Sequence, residues 1–279
     1  MLLVTGATGN VGREVVRQLA GAGRPVKGLV RNQHSADRLP AGVEPVIGDL
    51  GQPETFVAAL SDVTAIHLLA GYAGLDALLS AARETGVRRI VLQSSSSAPS
   101  GDLDNAVARY HILAERAVRA SGLEWTFLQP NTFMTNTLDW RDQLAAGDTV
   151  RAAFGGVAVA TIDPADIAAV SVQALTTDGH AGRSYRLSGP QALRPGDRLE
   201  ILARVLRRPL RFEPLSDEQA RAEMTADMPA EYVDAFFSFF VDGTIDETTV
   251  HPTVQELLER PPASFEQWVR AHVGEFAAG

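Results

Sequence analysis

Three glycines, Gly6, Gly9 and Gly12, follow the apolar run Met1-Leu2-Leu3-Val4 and lead into an amphipathic segment. Glycine at the first position permits a tight turn, at the second lets backbone approach a ligand closely, and at the third lets a helix pack against the strand. The N–H groups at the start of such a helix, from Thr8 through Asn10, Val11 and Gly12, have no partner within the helix and suit anionic oxygen. Glycines also make turns for geometry alone. Between a buried strand and an amphipathic helix, however, this spacing is the cradle of a dinucleotide's pyrophosphate, and a bound NAD(P) follows.

Further along, the second strand ends Leu29-Val30-Arg31-Asn32, where a carboxylate would accept bonds from the adenosine ribose of NAD. Arg31 stands there instead. A guanidinium pairs with a 2′-phosphate that a carboxylate would repel, and Asn32 and Ser35 can add neutral donors, so NADPH is expected over NADH. Asp49 and Leu50 after the third strand are placed beside the adenine. Leu69, Ala70 and Gly71 after the fourth allow a cofactor to come close.

The elements that must hold these residues alternate regularly. Apolar periodicity predicts a helix over 11–20 and strands over 25–30, 43–47, 64–69, 89–93 and 124–128, with helices over 53–60, 75–85 and 105–120 between them. A helix over 163–175 and a strand over 184–187 follow, after a less regular stretch with Phe133, Met134 and Trp140 on a helix. Such alternation makes an α/β, Rossmann-type doubly wound parallel sheet. The dinucleotide-binding domain is expected over 1–187, with 130–160 contributing to the substrate side. A small, mostly helical lobe over 188–279, jointed at Pro209, Pro229, Pro252 and Pro261-Pro262, would cover the substrate.

Composition narrows the partners. With 279 residues, 45% of them hydrophobic, the chain can bury one substantial core and a small second lobe. Thirty-four acidic against twenty-five basic residues give a net charge of −9, which repels a phosphate backbone and argues against nucleic acid. No apolar stretch reaches the length of a membrane span, and a strand that starts at Met1 leaves no room for a cleaved signal, so a cytoplasmic location is expected. Cysteine is absent, so redox work falls to a cofactor.

Thr5 to Gly12, Arg31-Asn32, Gly48-Asp49-Leu50 and Trp125-Thr126-Phe127-Leu128-Gln129-Pro130-Asn131-Thr132-Phe133-Met134 together resemble the NmrA-like branch of the atypical short-chain dehydrogenases/reductases. Thr253-Val254-Gln255-Glu256-Leu257 and Arg260-Pro261-Pro262-Ala263-Ser264-Phe265 are similar to that branch's C-terminal segment, so the resemblance spans nearly the whole chain. Within the branch the likeness is to NADPH-dependent quinone reductases and triphenylmethane reductases. The branch also holds redox-sensing regulators that bind the dinucleotide without turning it over, so a non-catalytic NADP(H) sensor acting through a protein partner is the alternative reading.

Short-chain dehydrogenases carry Tyr-x-x-x-Lys on the helix after the fifth strand. Alignment on Glu115 and Gly122 puts His111 at the lysine and Val107 at the tyrosine, and Tyr110 points to another side of the helix at about 100° per residue. The usual proton donor is missing. The resemblance then implies an acceptor that needs no strong enzyme acid: a quinone or related polycyclic aromatic compound, as in the tailoring of an aromatic natural product. His111 would contact the nicotinamide ribose or bond the substrate oxygen, donating a proton late from a pKa near neutrality; the other reading is a histidine packed on its helix. Ser94 and Ser95 lie where the family places a hydroxyl near the substrate, although a serine run also serves as a flexible connection.

His111 and Glu115, four apart, lack a third ligand for a metal, so no metal is expected and the spacing suits an intrahelical hydrogen bond. No Gly-x-Ser-x-Gly elbow supports hydrolysis. For the substrate pocket the candidates are Asn131, Phe133, Met134 and Trp140 after the sixth strand. Phe236 and Phe237 join them from the aromatic concentration Tyr232, Phe236, Phe237, Phe239 and Phe240, which can equally be core or a homodimer contact.

Overall fold

The computed structural model describes residues 1–277. Among them nine strands form: β1 (Leu2–Val4), β2 (Val26–Val30), β3 (Val43–Ile47), β4 (Ala65–Leu69), β5 (Arg89–Gln93), β6 (Glu124–Pro130), β7 (Thr149–Ala152), β8 (Arg183–Leu187) and β9 (Arg211–Pro214). The helices are α1 (Gly12–Gly21), α2 (Gln33–Ala36), α3 (Leu75–Glu84), α4 (Ala106–Ala120), α5 (Arg141–Ala146), α6 (Pro164–Thr176), α7 (Pro195–Leu206), α8 (Asp217–Asp227), α9 (Ala230–Phe240), α10 (Thr253–Leu258), α11 (Phe265–Ala271) and α12 (Val273–Ala277).

Seven strands form one sheet in the order β3-β2-β1-β4-β5-β6-β8, and the pairings from β3 through β6 are parallel. The order reverses between β1 and β4, and in doubly wound sheets the ligand crevice lies at that switch, beyond the carboxyl ends of the strands. Alternation along the strands explains the layers. Leu3, Ile66, Leu68, Ile90 and Leu92 pack with Leu78, Leu79 and Ala82 of α3 and Ala114 and Val118 of α4. His67, one residue out of step, points to the opposite face and bonds Ser171 of α6 at 2.8 Å, where α6 packs against α1.

The chain divides into two compact units, each discontinuous in sequence. One comprises Met1–Ala98, Tyr110–Pro130 and Pro164–Arg186; the other Pro99–Arg109, Asn131–Asp163 and Leu187–Gly279. The last of these boundaries lies between Arg186 and Leu187, and the second unit draws two earlier segments besides. It is mostly helical, with a core of Met134, Trp140, Leu144, Leu199, Leu202, Phe265 and Trp268, but it also holds a two-stranded parallel sheet of β7 and β9.

Local departures have physical causes. The helix expected over 53–60 is two 3-10 turns, Pro53–Thr55 and Val57–Leu60, because Phe56 between them adopts φ −138°, ψ 0° to bury its ring. Met134–Trp140 is likewise a 3-10 turn rather than an α-helix. Strands β7 and β9, four residues each, are too short for alternation to announce them.

Candidate active site

In the first unit Gly6 adopts φ +61°, and a Cβ there would lie 2.4 Å from Cδ1 of Leu69. The Gly9 N–H donates to the Gly6 carbonyl at 2.9 Å, closing the turn. Gly12 opens α1 so close to the turn that a Cβ would sit 2.1 Å from the Gly6 carbonyl oxygen. No side chain caps α1. A partial positive charge is thus presented by backbone alone.

This loop is anchored by a residue whose role the motif did not announce. Thr5 Oγ1 donates to the His67 carbonyl at 3.1 Å and accepts from the Leu69 N–H at 2.9 Å, tying β1 to the end of β4. Gly6, Thr8, Gly9, Leu29, Val30, Arg31, Ser35, Gly48, Asp49, Leu50, Leu69 and Tyr72 then line one cleft of about 400 Å³. Tyr72, 42% exposed, is a wall the sequence did not single out. Among the described residues no carboxylate lies within ion-pair distance of the exposed Arg31 guanidinium. Asn32 caps α2 through Oδ1, accepting the Ser35 N–H at 2.9 Å, so only its amide N–H groups remain as donors. Asp49 Oδ1 accepts the Gly51 N–H at 2.8 Å. Gly71, at φ +91°, packs beneath the ring of Tyr110. Ala70 is half-buried beside it, Asn10 is exposed and Val11 buried.

These features fit a dinucleotide. The glycine cradle is a space any Cβ would fill, and a cation and a hydroxyl stand at the strand end where a ribose would lie. His111 adds a third sign: its Nδ1 is buried without a hydrogen-bond partner.

That histidine corrects one expectation. Although the residue as a whole is half-buried, burial pushes its pKa down to about 3, well below the near-neutral value expected, so the imidazole is neutral near pH 7. Nor does it bond Glu115 along the helix. The Glu115 carboxylate accepts Ser94 Oγ at 2.6 Å and Gln129 Nε2 at 2.8 Å, both on Oε1. Ser94 has therefore committed its proton to a buried carboxylate and ties β5 to α4. Ser95 differs, because its Oγ accepts from the Ser97 N–H at 3.1 Å and from Ser97 Oγ at 3.0 Å and keeps its own proton to give.

The second unit carries an apolar cavity of about 310 Å³. Trp140 and Phe236 line it as expected, joined by Phe154, Phe240, Met224 and Met228. Phe236 and Phe240 lie parallel, 4° apart. Phe154 holds φ +56°, a left-handed conformation that costs a bulky side chain strain, and turns its ring against Phe237 and Phe240. The remaining candidates fall elsewhere. Met134 and Phe237 are core residues, because the 3-10 turn and the inner face of α9 direct them there. Phe133 pairs its backbone with Ile162. Asn131 is a buried strut whose Nδ2 donates to the Glu247 carbonyl at 3.1 Å.

Two charged walls were not anticipated, since each reads in sequence as a solvated helix charge. Asp139 has its pKa raised by burial against a smaller lowering from Arg141, and Arg198 in the first turn of α7 has its pKa lowered by burial to about 10.

Comparison with known proteins agrees with the first unit's geometry. Residues 6–178 match a family profile described as NAD(P)H-binding. The chain is 41% identical over 281 aligned residues to the (4-alkanoyl-5-oxo-2,5-dihydrofuran-3-yl)methyl phosphate reductase of Streptomyces griseus, covering 99% of each chain. It is 35% identical to the NAD(P)H azoreductase of Xenophilus azovorans over 100% of each. Among solved structures, the NADPH-dependent quinone oxidoreductase of Escherichia coli aligns with a TM-score of 0.82 at 23% identity, over 98% of this chain and 100% of that one. The triphenylmethane reductase of Citrobacter sp. with NADP(H) aligns with a TM-score of 0.79 at 23% identity, over 97% and 99%. At that identity the likeness is one of fold.

Proposed function

This chain belongs to the NAD(P)H-binding family and is an NAD(P)H-dependent reductase, and from there we propose that it transfers a hydride from NADPH to a conjugated, electron-poor small molecule, a quinone or related polycyclic aromatic acceptor. The observation that carries the reading is the glycine cradle with the unpaired Arg31 at its strand end. The two reductases named above support the acceptor class, since an unsaturated lactone and an azo compound are conjugated acceptors too. One of them is named for a narrow class of alkanoyl-substituted furanone phosphates, which fits a tailoring step in natural-product chemistry.

NADPH, when bound, would supply two electrons and a proton together as hydride. Arg31 and Ser35 hold the 2′-phosphate, the loop from Thr8 to Gly12 holds the pyrophosphate, and Asp49 and Leu50 flank the adenine. Neutral His111 bonds the nicotinamide ribose through its unpartnered Nδ1. Phe236, Phe240, Phe154 and Trp140 take the flat acceptor and exclude water. Ser95, whose hydroxyl keeps its proton to give, stabilises the acceptor oxygen in this reading, with Ser94 and Glu115 as positioning residues. Because a hydroquinone anion is weakly basic, its proton can come from solvent, which is consistent with Val107 where a tyrosine acid would stand.

Carbon-bound product gives the cleanest test. Incubation of the protein with a triarylmethane cation and NADPH deuterated at nicotinamide C4 should yield a leuco product one mass unit heavier with one cofactor epimer and unlabelled with the other. Unlabelled product from both epimers would overturn direct hydride transfer.

A further inference from the structure

The acceptor cavity contains a cation with no counter-ion. Arg198 lines it among Trp140, Phe154, Phe236 and Phe240. Its Nε is buried without a hydrogen-bond partner, and among the described residues no carboxylate lies within ion-pair distance of the guanidinium. Asp139, on the same wall, does not pair with it. What the guanidinium does touch is a π face: its Cζ stands 5.5 Å from the Trp140 ring centroid.

Other arginines of this unit show the contrast. Arg208 pairs with Asp148 and reaches the Leu144 and Gly147 carbonyls, and Arg204 pairs with Glu266. A charged group taken from water without an ion pair is costly, and an aromatic face offsets part of that cost. The guanidinium stays charged at neutral pH even with its pKa lowered to about 10. A five-donor planar fork with open valences in an apolar pocket matches a carboxylate or phosphate, two parallel bonds at a time.

We propose, resting on the reading of this cavity as the acceptor site, that Arg198 is a specificity-determining residue that pairs with an oxyanion substituent, a carboxylate or phosphate monoester, carried by the conjugated acceptor. The ring system then lies against Phe236 and Phe240, and the anion selects and orients it.

The test is binding rather than turnover. Calorimetry on the full-length protein with NADP⁺ compares anthraquinone-2-carboxylate with anthraquinone-2-carboxamide, and 2-naphthyl phosphate with 2-naphthol. In the wild type at least one anion should bind about tenfold or more tightly than its neutral partner, and the pair with the larger ratio identifies the oxyanion. Arg198→Met should bring that ratio to within about twofold, and Arg198→Lys should keep an intermediate preference because it retains charge without the fork. Equal binding of anion and neutral partner in the wild type would overturn the proposal, as would an undiminished ratio in an Arg198→Met protein that melts like the wild type. Because this test does not read NADPH oxidation, a wild type without the anion preference faults the Arg198 proposal alone, whereas absent turnover in a separate assay, beside an intact preference, faults the reductase chemistry.

Discussion

At the scale of single residues, Arg31 and His111 act on the cofactor by different physics in the proposed function. Arg31 is exposed and, among the described residues, without an ion-pair partner, so the contribution proposed for it is charge, directed at the one group that distinguishes NADPH from NADH. Arg31→Asp should raise the Kd for NADPH by about tenfold or more while changing that for NADH by less than about threefold, because repulsion replaces paired charge-assisted bonds. Equal weakening of both in a fluorescence titration would remove the specificity role. In the proposed function His111 contributes one neutral hydrogen bond, through an Nδ1 that is buried without a partner. With its pKa held at about 3, no inflection in kcat between pH 5 and 8 should belong to it, and His111→Ala should weaken NADPH by roughly tenfold or less, the worth of about 1 kcal/mol. A wild-type inflection near pH 6.5 that disappears in His111→Ala would show instead an imidazole that titrates at work.

At the scale of elements, the joint between β1 and α1 has no slack. Gly12→Ala would set a Cβ 2.1 Å from a carbonyl oxygen, and neither atom belongs to a flexible side chain. The helix must move off the strand, so the variant should lose NADPH affinity by about tenfold or more and melt at a lower temperature; wild-type affinity and melting would contradict the packing role. This joint was legible in the sequence because all its information is local: turn, close approach and helix packing lie within seven residues. The second unit's cavity was not. Its walls come from the 3-10 turn Met134–Trp140, the residues after β7, the first turn of α7, α8 and α9. Within α9 the aromatic concentration was visible, but its division was not, since Phe236 and Phe240 reach the cavity while Phe237 is core. Arg198 could not be told from a solvated helix charge without knowing what surrounds it.

At the scale of the whole molecule, alternating periodicity carried the sheet from β1 to β6 and its strand directions, because a buried parallel strand and an amphipathic helix each announce themselves in a few residues. It did not announce that the second unit is assembled from three stretches of chain, which is a property of long-range contacts. Stability also belongs to this scale. Burial lowers the pKa of His67 to about 4 and of His111 to about 3, so both are neutral in the fold. Below about pH 6.5 the unfolded chain binds protons the native chain refuses. Stability should therefore be at its full value above pH 6.5 and fall as pH drops toward 4, and His67→Leu should flatten that slope. Melting temperatures between pH 7 and 4.5 check both, and a wild-type melting temperature that rises on acidification would contradict the sign.

Anaerobic NADPH oxidation against simple and polycyclic quinones, with NADH in parallel and cofactor binding checked on the same sample, tests the proposed chemistry most directly. The expected result is acceptor-dependent oxidation that favours NADPH and tracks the size of the acceptor. Tight NADPH binding with no oxidation by any acceptor would contradict it and describe a dinucleotide sensor.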